Sequence, residues 1–232
     1  MNNCLWCGVE EMPVIRLADL IGLSKISSKP LCRKCSLFVS LLDNQSTCIG
    51  CGRVWEGSEI CPDCIRWKEH YPQYDFQNEA IYEYNSFMKD WIEAYKFKGD
   101  YRLGKVVAEP LKKKITQKFD HSWLIVPIPV SKKSMENRGF NQVVGLLSFA
   151  KVNYVEVLQH IGTGEKQSSK NRRERMITPQ PFEVRKEMLD MVVDKKILLI
   201  DDVYTTGRTL FHAAECLLSK GAVSVRTLTI AR

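Results

Sequence analysis

The sequence predicts a parallel α/β sheet flanked by helices and preceded by a small cysteine-rich domain. Three observations carry this reading. Strand-like and helix-like apolar patterns alternate from about residue 79 onward, which implies parallel strands joined by helical crossovers. The run Ile197-Leu198-Leu199-Ile200 is apolar at every position, as a strand covered on both faces must be. Eight of the nine cysteines form four CxxC pairs, Cys4/Cys7, Cys32/Cys35, Cys48/Cys51 and Cys61/Cys64.

Each CxxC pair can set two thiolates on one Zn²⁺ from a tight turn, so eight thiolates make two closed, structural sites. Cys48, Cys51, Cys61 and Cys64 have the compact spacing of a zinc ribbon, whereas Cys4, Cys7, Cys32 and Cys35 close a longer loop. An interleaved pairing of the four knuckles stays open at this level. A redox role is disfavoured because no βαβ pattern surrounds the pairs. Cys216 shares an apolar helical face with Ala213 and Leu217 and reads as core.

The expected organisation is a zinc-binding domain over residues 1–67, a connection with an edge strand over 68–85, and an α/β domain over 86–232. A short helix is expected within Met12 to Ile26, and Ser27-Ser28-Lys29-Pro30 breaks the chain before the second knuckle. The aromatic, proline-bearing stretch from His70 to Tyr74 suits a packed connection, and Glu79 to Tyr84 alternates as a hairpin or edge strand. Ser86 is the expected N-cap of a helix through Met88, Trp91, Ile92 and Tyr95 that ends near Gly99. A second helix follows through Leu103, Val106, Val107, Leu111 and Ile115, with a basic face of Lys105, Lys112, Lys113, Lys114 and Lys118. Trp123 to Pro129 reads as a buried strand stopped by prolines, and Val130 to Gln142 as a basic loop. A helix then runs through Phe140, Val143, Val144 and Leu147, and a short strand covers Tyr154 to Leu158. A long basic loop from Gly162 to Thr178 precedes the Ile197 strand, a helix from Thr209 to Ser219 and a last strand from Val223 to Ile230.

The chain of 232 residues carries a net charge of +7, which favours polyanionic partners. No apolar stretch is long enough to span a bilayer and Met1-Asn2-Asn3-Cys4 opens no secretory signal, so the cytoplasm is the expected compartment.

The most informative segment is Asp201-Asp202-Val203-Tyr204-Thr205-Thr206-Gly207-Arg208-Thr209. A buried strand ends in two acids, and a hydroxyl-rich glycine turn leads into a helix whose free N–H groups and dipole favour an anion. Two carboxylates suit the vicinal hydroxyls of a ribose or its metal. The threonines and backbone amides suit a 5′-phosphate. A turn after the strand is expected to swing both acids toward the crevice where open parallel sheets bind ligands.

This segment resembles the phosphoribosyl-pyrophosphate (PRPP) signature of type I phosphoribosyltransferases. Together with the tandem cysteine knuckles, YKFKGDYRLG at Tyr95 to Gly104, VPIPVSKK and RGFNQ between Val126 and Gln142, and QSSKNRRER at Gln167 to Arg175, it makes the chain similar to the ComF/ComFC family over nearly its full length. The resemblance implies a type I phosphoribosyltransferase-like sheet, with Asp201 and Asp202 on ribose and Val203 to Thr209 with Lys132 on phosphate. It places the loop bearing Lys132, Lys133 and Arg138 at the pyrophosphate, and likens the one bearing Lys166, Gln167, Lys170, Arg172, Arg173 and Arg175 to a flap over the site. It further implies a cytoplasmic role in natural transformation near the inner face of the membrane, handling single-stranded DNA with the ComFA helicase and other competence uptake proteins. The expected nucleic-acid contacts are Lys96, Lys98, Lys132, Lys133, Arg138, Lys170, Arg172 and Arg175; Phe140, Tyr204 and Trp91 are candidates for a stacking face but read first as core residues. The other functional class is a working phosphoribosyltransferase, with PRPP and Mg²⁺ as substrate and cofactor and Asp201 and Asp202 as its catalytic pair.

Overall fold

The computed structural model describes residues 2–11, 29–43, 45–57, 59–70, 75–162 and 180–232. The helix expected over 12–26 and the basic residues of the 163–179 segment lie outside the described residues, as does most of the 70–74 connection.

At the front of the chain β1 (Asn2–Asn3) and β2 (Glu10–Glu11) form an antiparallel pair, followed by α1 (Arg33–Ser36) and α2 (Pro62–His70). Then come β3 (Asn78–Tyr82), α3 (Ser86–Phe97), a 3₁₀ turn at Tyr101–Gly104 and α4 (Lys105–Lys118). The chain continues through β4 (Trp123–Pro127), α5 (Lys132–Arg138), α6 (Gln142–Ala150), β5 (Leu158–His160) and β6 (Phe182–Val184). A 3₁₀ segment at Lys186–Met191 leads to β7 (Lys196–Val203), α7 (Arg208–Ser219) and β8 (Ser224–Ala231).

The main sheet has the order β3-β8-β7-β4 and is parallel throughout. Its centre is β7, where Ile197, Leu198, Leu199 and Ile200 are fully buried because both faces are covered. Leu198 and Ile200 pack with Leu228, Ile230 and the α3, α4 and α6 side chains Trp91, Leu111 and Leu147. Ile197 and Leu199 point the other way, into Leu210, Ala213 and Leu217 of α7. Cys216 is buried in that second layer, as expected of a core cysteine.

Several elements differ from the sequence expectation. Of the two forms expected for the 79–84 stretch the edge strand is the one observed, since Asn78–Tyr82 pairs parallel with β8 and the Asn78 side chain bonds Thr227 and Thr229. Asn85, one residue before the expected Ser86, caps α3 by accepting from the Met88 amide at 3.0 Å. The strand expected at Tyr154 to Leu158 begins only at Leu158 and stays out of the main sheet. It pairs antiparallel with β6, and the chain before it touches β4 through the Val155 amide and the Ile125 carbonyl at 2.9 Å. The basic stretch after β4, expected as a loop, contains α5, capped by Ser131 and ended by Gly139 in the left-handed region at φ 77°.

Both cysteine-bearing segments pack on the sheet. Cys4, Cys32 and Cys35 join the layer that holds Ile81, Tyr82 and Phe87, while Cys48, Cys51, Cys61 and Cys64 join the layer of α7. No helix among the described residues is long and apolar enough to cross a membrane.

Candidate phosphate and metal sites

The carboxyl end of β7 places the two acids inside the strand, with Val203 still paired to Ala231. Adjacent strand residues leave opposite faces, so the acids diverge rather than swinging together after the strand as expected. Asp202 shares the face of Leu198 and Ile200, and there its Oδ2 meets Lys96 Nζ of α3 at 2.5 Å. Lys96, expected among the contacts to a polyanion, is therefore committed to an acid. Asp201 lies on the face of α7, and its Oδ1 accepts from the Asp202 amide at 2.8 Å. Burial, then the charge of Asp202, pushes the Asp201 carboxyl up to about 8, against a smaller opposing pull from Lys96. The divergent side chains and the Lys96 ammonium on Asp202 do not fit a single Mg²⁺ shared by both carboxylates.

Beyond the acids, Gly207 stands immediately before α7 with φ 80° and no side chain to cap the helix. A Cβ at Gly207 would sit 2.2 Å from the Tyr204 hydroxyl, so the tight turn requires glycine. Three successive carbonyls of this loop are tied down. Arg232 Nη1 donates to the carbonyls of Tyr204 at 3.2 Å and Thr205 at 3.1 Å, and Trp67 Nε1 donates to that of Thr206 at 3.0 Å. The Arg232 guanidinium also lies over the Tyr204 ring at 4.6 Å, and its Nη2 lies 3.5 Å from Cys51 Sγ. The Thr206 hydroxyl accepts from the Arg208 amide at 3.5 Å, and the remaining free amides in the first turn of α7, beside Thr205 and Thr209, are of the kind that suits an anion. Tyr204 is buried, Thr205 is exposed, and the Arg208 guanidinium turns back to within 6.0 Å of the Trp67 ring. Of the expected phosphate set, Val203 is half-buried, and Lys132 stands exposed at the start of α5, which leaves the carboxyl end of β4 beside β7.

Lys98 and Lys133 are exposed, and Arg138 Nη1 donates to Gln142 Oε1 at 2.9 Å. Lys170, Arg172 and Arg175 lie outside the described residues. The three aromatics read first as core are core: Trp91 and Tyr204 are buried, and Phe140 meets Tyr95 and Tyr101 edge-on.

Cys4, Cys7, Cys32 and Cys35 form one tetrad and Cys48, Cys51, Cys61 and Cys64 the other, with all four sulfurs of each within 4.8 Å of one another. The pairing is therefore sequential and not interleaved. Sulfur separations of 3.7 Å for Cys7/Cys32, Cys48/Cys64 and Cys51/Cys61 match the edge of a tetrahedron with Zn–S bonds of about 2.3 Å. The Cys35 amide reaches Cys32 Sγ and the Cys61 amide reaches Cys48 Sγ, a setting that favours thiolate. Both tetrads could hold zinc.

A parallel sheet bearing an acid pair, a glycine turn leading into a helix and two cysteine tetrads that could hold zinc define a phosphoribosyltransferase-like protein. In agreement, a sequence profile of the phosphoribosyl transferase domain matches residues 137–232. The chain is 34% identical to the competence protein ComFC of Streptococcus pneumoniae, covering 99% of this chain and 100% of that protein. It is also 34% identical to ComFC of Bacillus subtilis, over 80% of this chain and 77% of that protein. The chain belongs to the ComFC family of competence proteins. Among solved structures, a hypoxanthine phosphoribosyltransferase from Staphylococcus aureus aligns at 16% identity and a TM-score of 0.36, over 63% of this chain and 71% of that one.

Proposed function

We propose that this chain acts in DNA uptake during natural transformation, binding incoming single-stranded DNA in the cytoplasm through its phosphoribosyltransferase-like domain and docking the ComFA helicase. Its domains are the zinc-binding front over 1–67, the connection over 68–85 and the phosphoribosyltransferase-like part over 86–232. One observation supports this reading above the rest: exposed Lys98 directly follows α3, whose Lys96 reaches Asp202, and exposed Lys132 and Lys133 stand with Arg138 on α5, which follows the strand paired to β7. Such a grouping suits a string of phosphates better than a single pyrophosphate. Lys170, Arg172 and Arg175 extend the same charge in sequence. The phosphate loop would take PRPP or a related sugar phosphate as a regulatory ligand. The test is a pair of double variants. Lys132→Ala with Lys133→Ala weakens DNA binding, whereas Asp201→Ala with Asp202→Ala abolishes PRPP binding and spares DNA. Equal loss of DNA binding in a folded acid variant would overturn the division of roles.

A working phosphoribosyltransferase is the second reading, favoured by the intact loop from Asp201 to Thr209. There the acid pair would have to turn from its present divergent setting to meet the ribose as positive charge develops at C1, while Lys132 and the first turn of α7 stabilise departing pyrophosphate. It requires pyrophosphate release when PRPP, Mg²⁺ and an acceptor base are supplied.

A further inference from the structure

The same end of the sheet carries an aromatic ring that the core does not use. Phe97, the last residue of α3, is 70% exposed, while its neighbour Lys96 reaches inward to Asp202 at 2.5 Å. Successive helical residues lie about 100° apart, so the ring stands outward where the helix meets the acid pair. The Arg138 guanidinium carbon lies 5.0 Å from the centre of the Phe97 ring. Its bond to Gln142 Oε1 at 2.9 Å holds that guanidinium in place.

A lone exposed phenylalanine needs no explanation. This one is joined to a held arginine and bordered by cations. Lys98 follows it directly, and Lys132 and Lys133 share α5 with Arg138. A guanidinium on one side of the ring leaves the other side to solvent, and a flat apolar face between phosphate-binding charges is what a nucleobase needs. Duplex DNA keeps its base faces stacked inside, so only an unpaired base reaches such a ring.

We propose that Phe97 and Arg138 form a stacking platform for one nucleobase of a single-stranded nucleic acid, with Lys98, Lys132 and Lys133 on the flanking phosphates. The inference rests on the DNA-binding reading above and adds to it the point at which a base, and not only the backbone, is held. It also explains why none of the more buried aromatics is needed.

The experiment is fluorescence anisotropy of the full chain with a labelled oligothymidine strand and an abasic strand of equal length and charge. The parent protein binds the thymidine strand tighter by roughly fivefold or more, the low end of what one stacked base contributes. Phe97→Leu brings thymidine affinity down to the abasic level and leaves the salt dependence unchanged. Arg138→Lys, which keeps charge but loses the flat guanidinium, gives part of that loss. Phe97→Trp, with a larger ring, tightens the thymidine strand alone and serves should Phe97→Leu fold poorly. Thymidine binding unchanged in Phe97→Leu, or both strands weakened equally, overturns the platform while salt-dependent binding of both strands leaves the DNA reading intact. Absence of binding to either strand by the parent protein overturns both.

Discussion

The indole Nε1 of Trp67 donates to the carbonyl of Thr206 at 3.0 Å, across 139 residues of chain. Trp67 lies on α2, which follows Cys61 and carries Cys64, and its ring stacks on Phe211 of α7 at 4.2 Å. The second cysteine tetrad thus anchors a helix that grips the loop from Tyr204 to Gly207, while Arg232 ties the same loop toward Cys51. Stripping zinc is therefore expected to loosen residues 204–209 before it unfolds the sheet. Hydrogen exchange should show faster exchange at those amides after chelation, with the β7 amides of Ile197 to Ile200 still protected. Trp67→Phe keeps the stacking and loses one hydrogen bond worth about 1 kcal/mol, so PRPP affinity should fall roughly fivefold.

Glycine at 207 is a second point of control. Gly207→Ala meets both the positive φ and the Tyr204 hydroxyl. A destabilisation of about 1–3 kcal/mol and loss of PRPP binding are expected, measured by denaturant unfolding and calorimetric titration. Tyr204→Phe in the alanine background removes the clashing oxygen and should recover part of the stability.

The ion pair of Lys96 and Asp202 is almost wholly enclosed, with side chains 15% and 7% exposed. Lys96→Met leaves a buried carboxylate without its counter-charge and should cost roughly 3 kcal/mol. Adding Asp202→Asn removes the orphan charge, so the double variant should regain much of the lost stability. Independent, additive losses in the double-mutant cycle would contradict the pairing.

Asp201 makes stability depend on pH in an unusual direction. Its carboxyl is pushed up to about 8 by burial and by Asp202. Above the ordinary carboxylate range of about 4 the unfolded chain loses this proton while the folded chain keeps it, so stability falls as pH rises toward 8. Asp201→Asn should flatten that slope. Thermal unfolding at pH 5 and pH 8 checks it: the variant's advantage over the parent grows with pH, and a constant difference would refute the assignment.

The parts of the molecule legible in sequence were those with dense local signals. Ile197 to Ile200 announced a doubly covered strand by unbroken aliphatic character, and the CxxC spacing announced two cysteine tetrads, although only the fold shows which knuckles pair. α5 had its cap at Ser131 and its stop at Gly139 in plain view, yet it buries no residue, so no apolar period marked it. The three-residue strands β5 and β6 are too short to carry a pattern and exist through their pairing with each other. Lys96 and Phe97 show the deeper limit. Adjacent in sequence, one turns in to neutralise Asp202 and the other turns out beside Arg138, a division set by the packing of α3 and invisible to a count of charges.

The affinity for single-stranded DNA as a function of salt tests the central claim most directly. Binding should weaken steeply between about 50 and 200 mM salt, and Lys132→Ala should reduce the slope of log K against log salt by about 0.7. Binding that is tight and indifferent to salt, or a slope unchanged by that substitution, would contradict a strand held at the carboxyl end of the sheet.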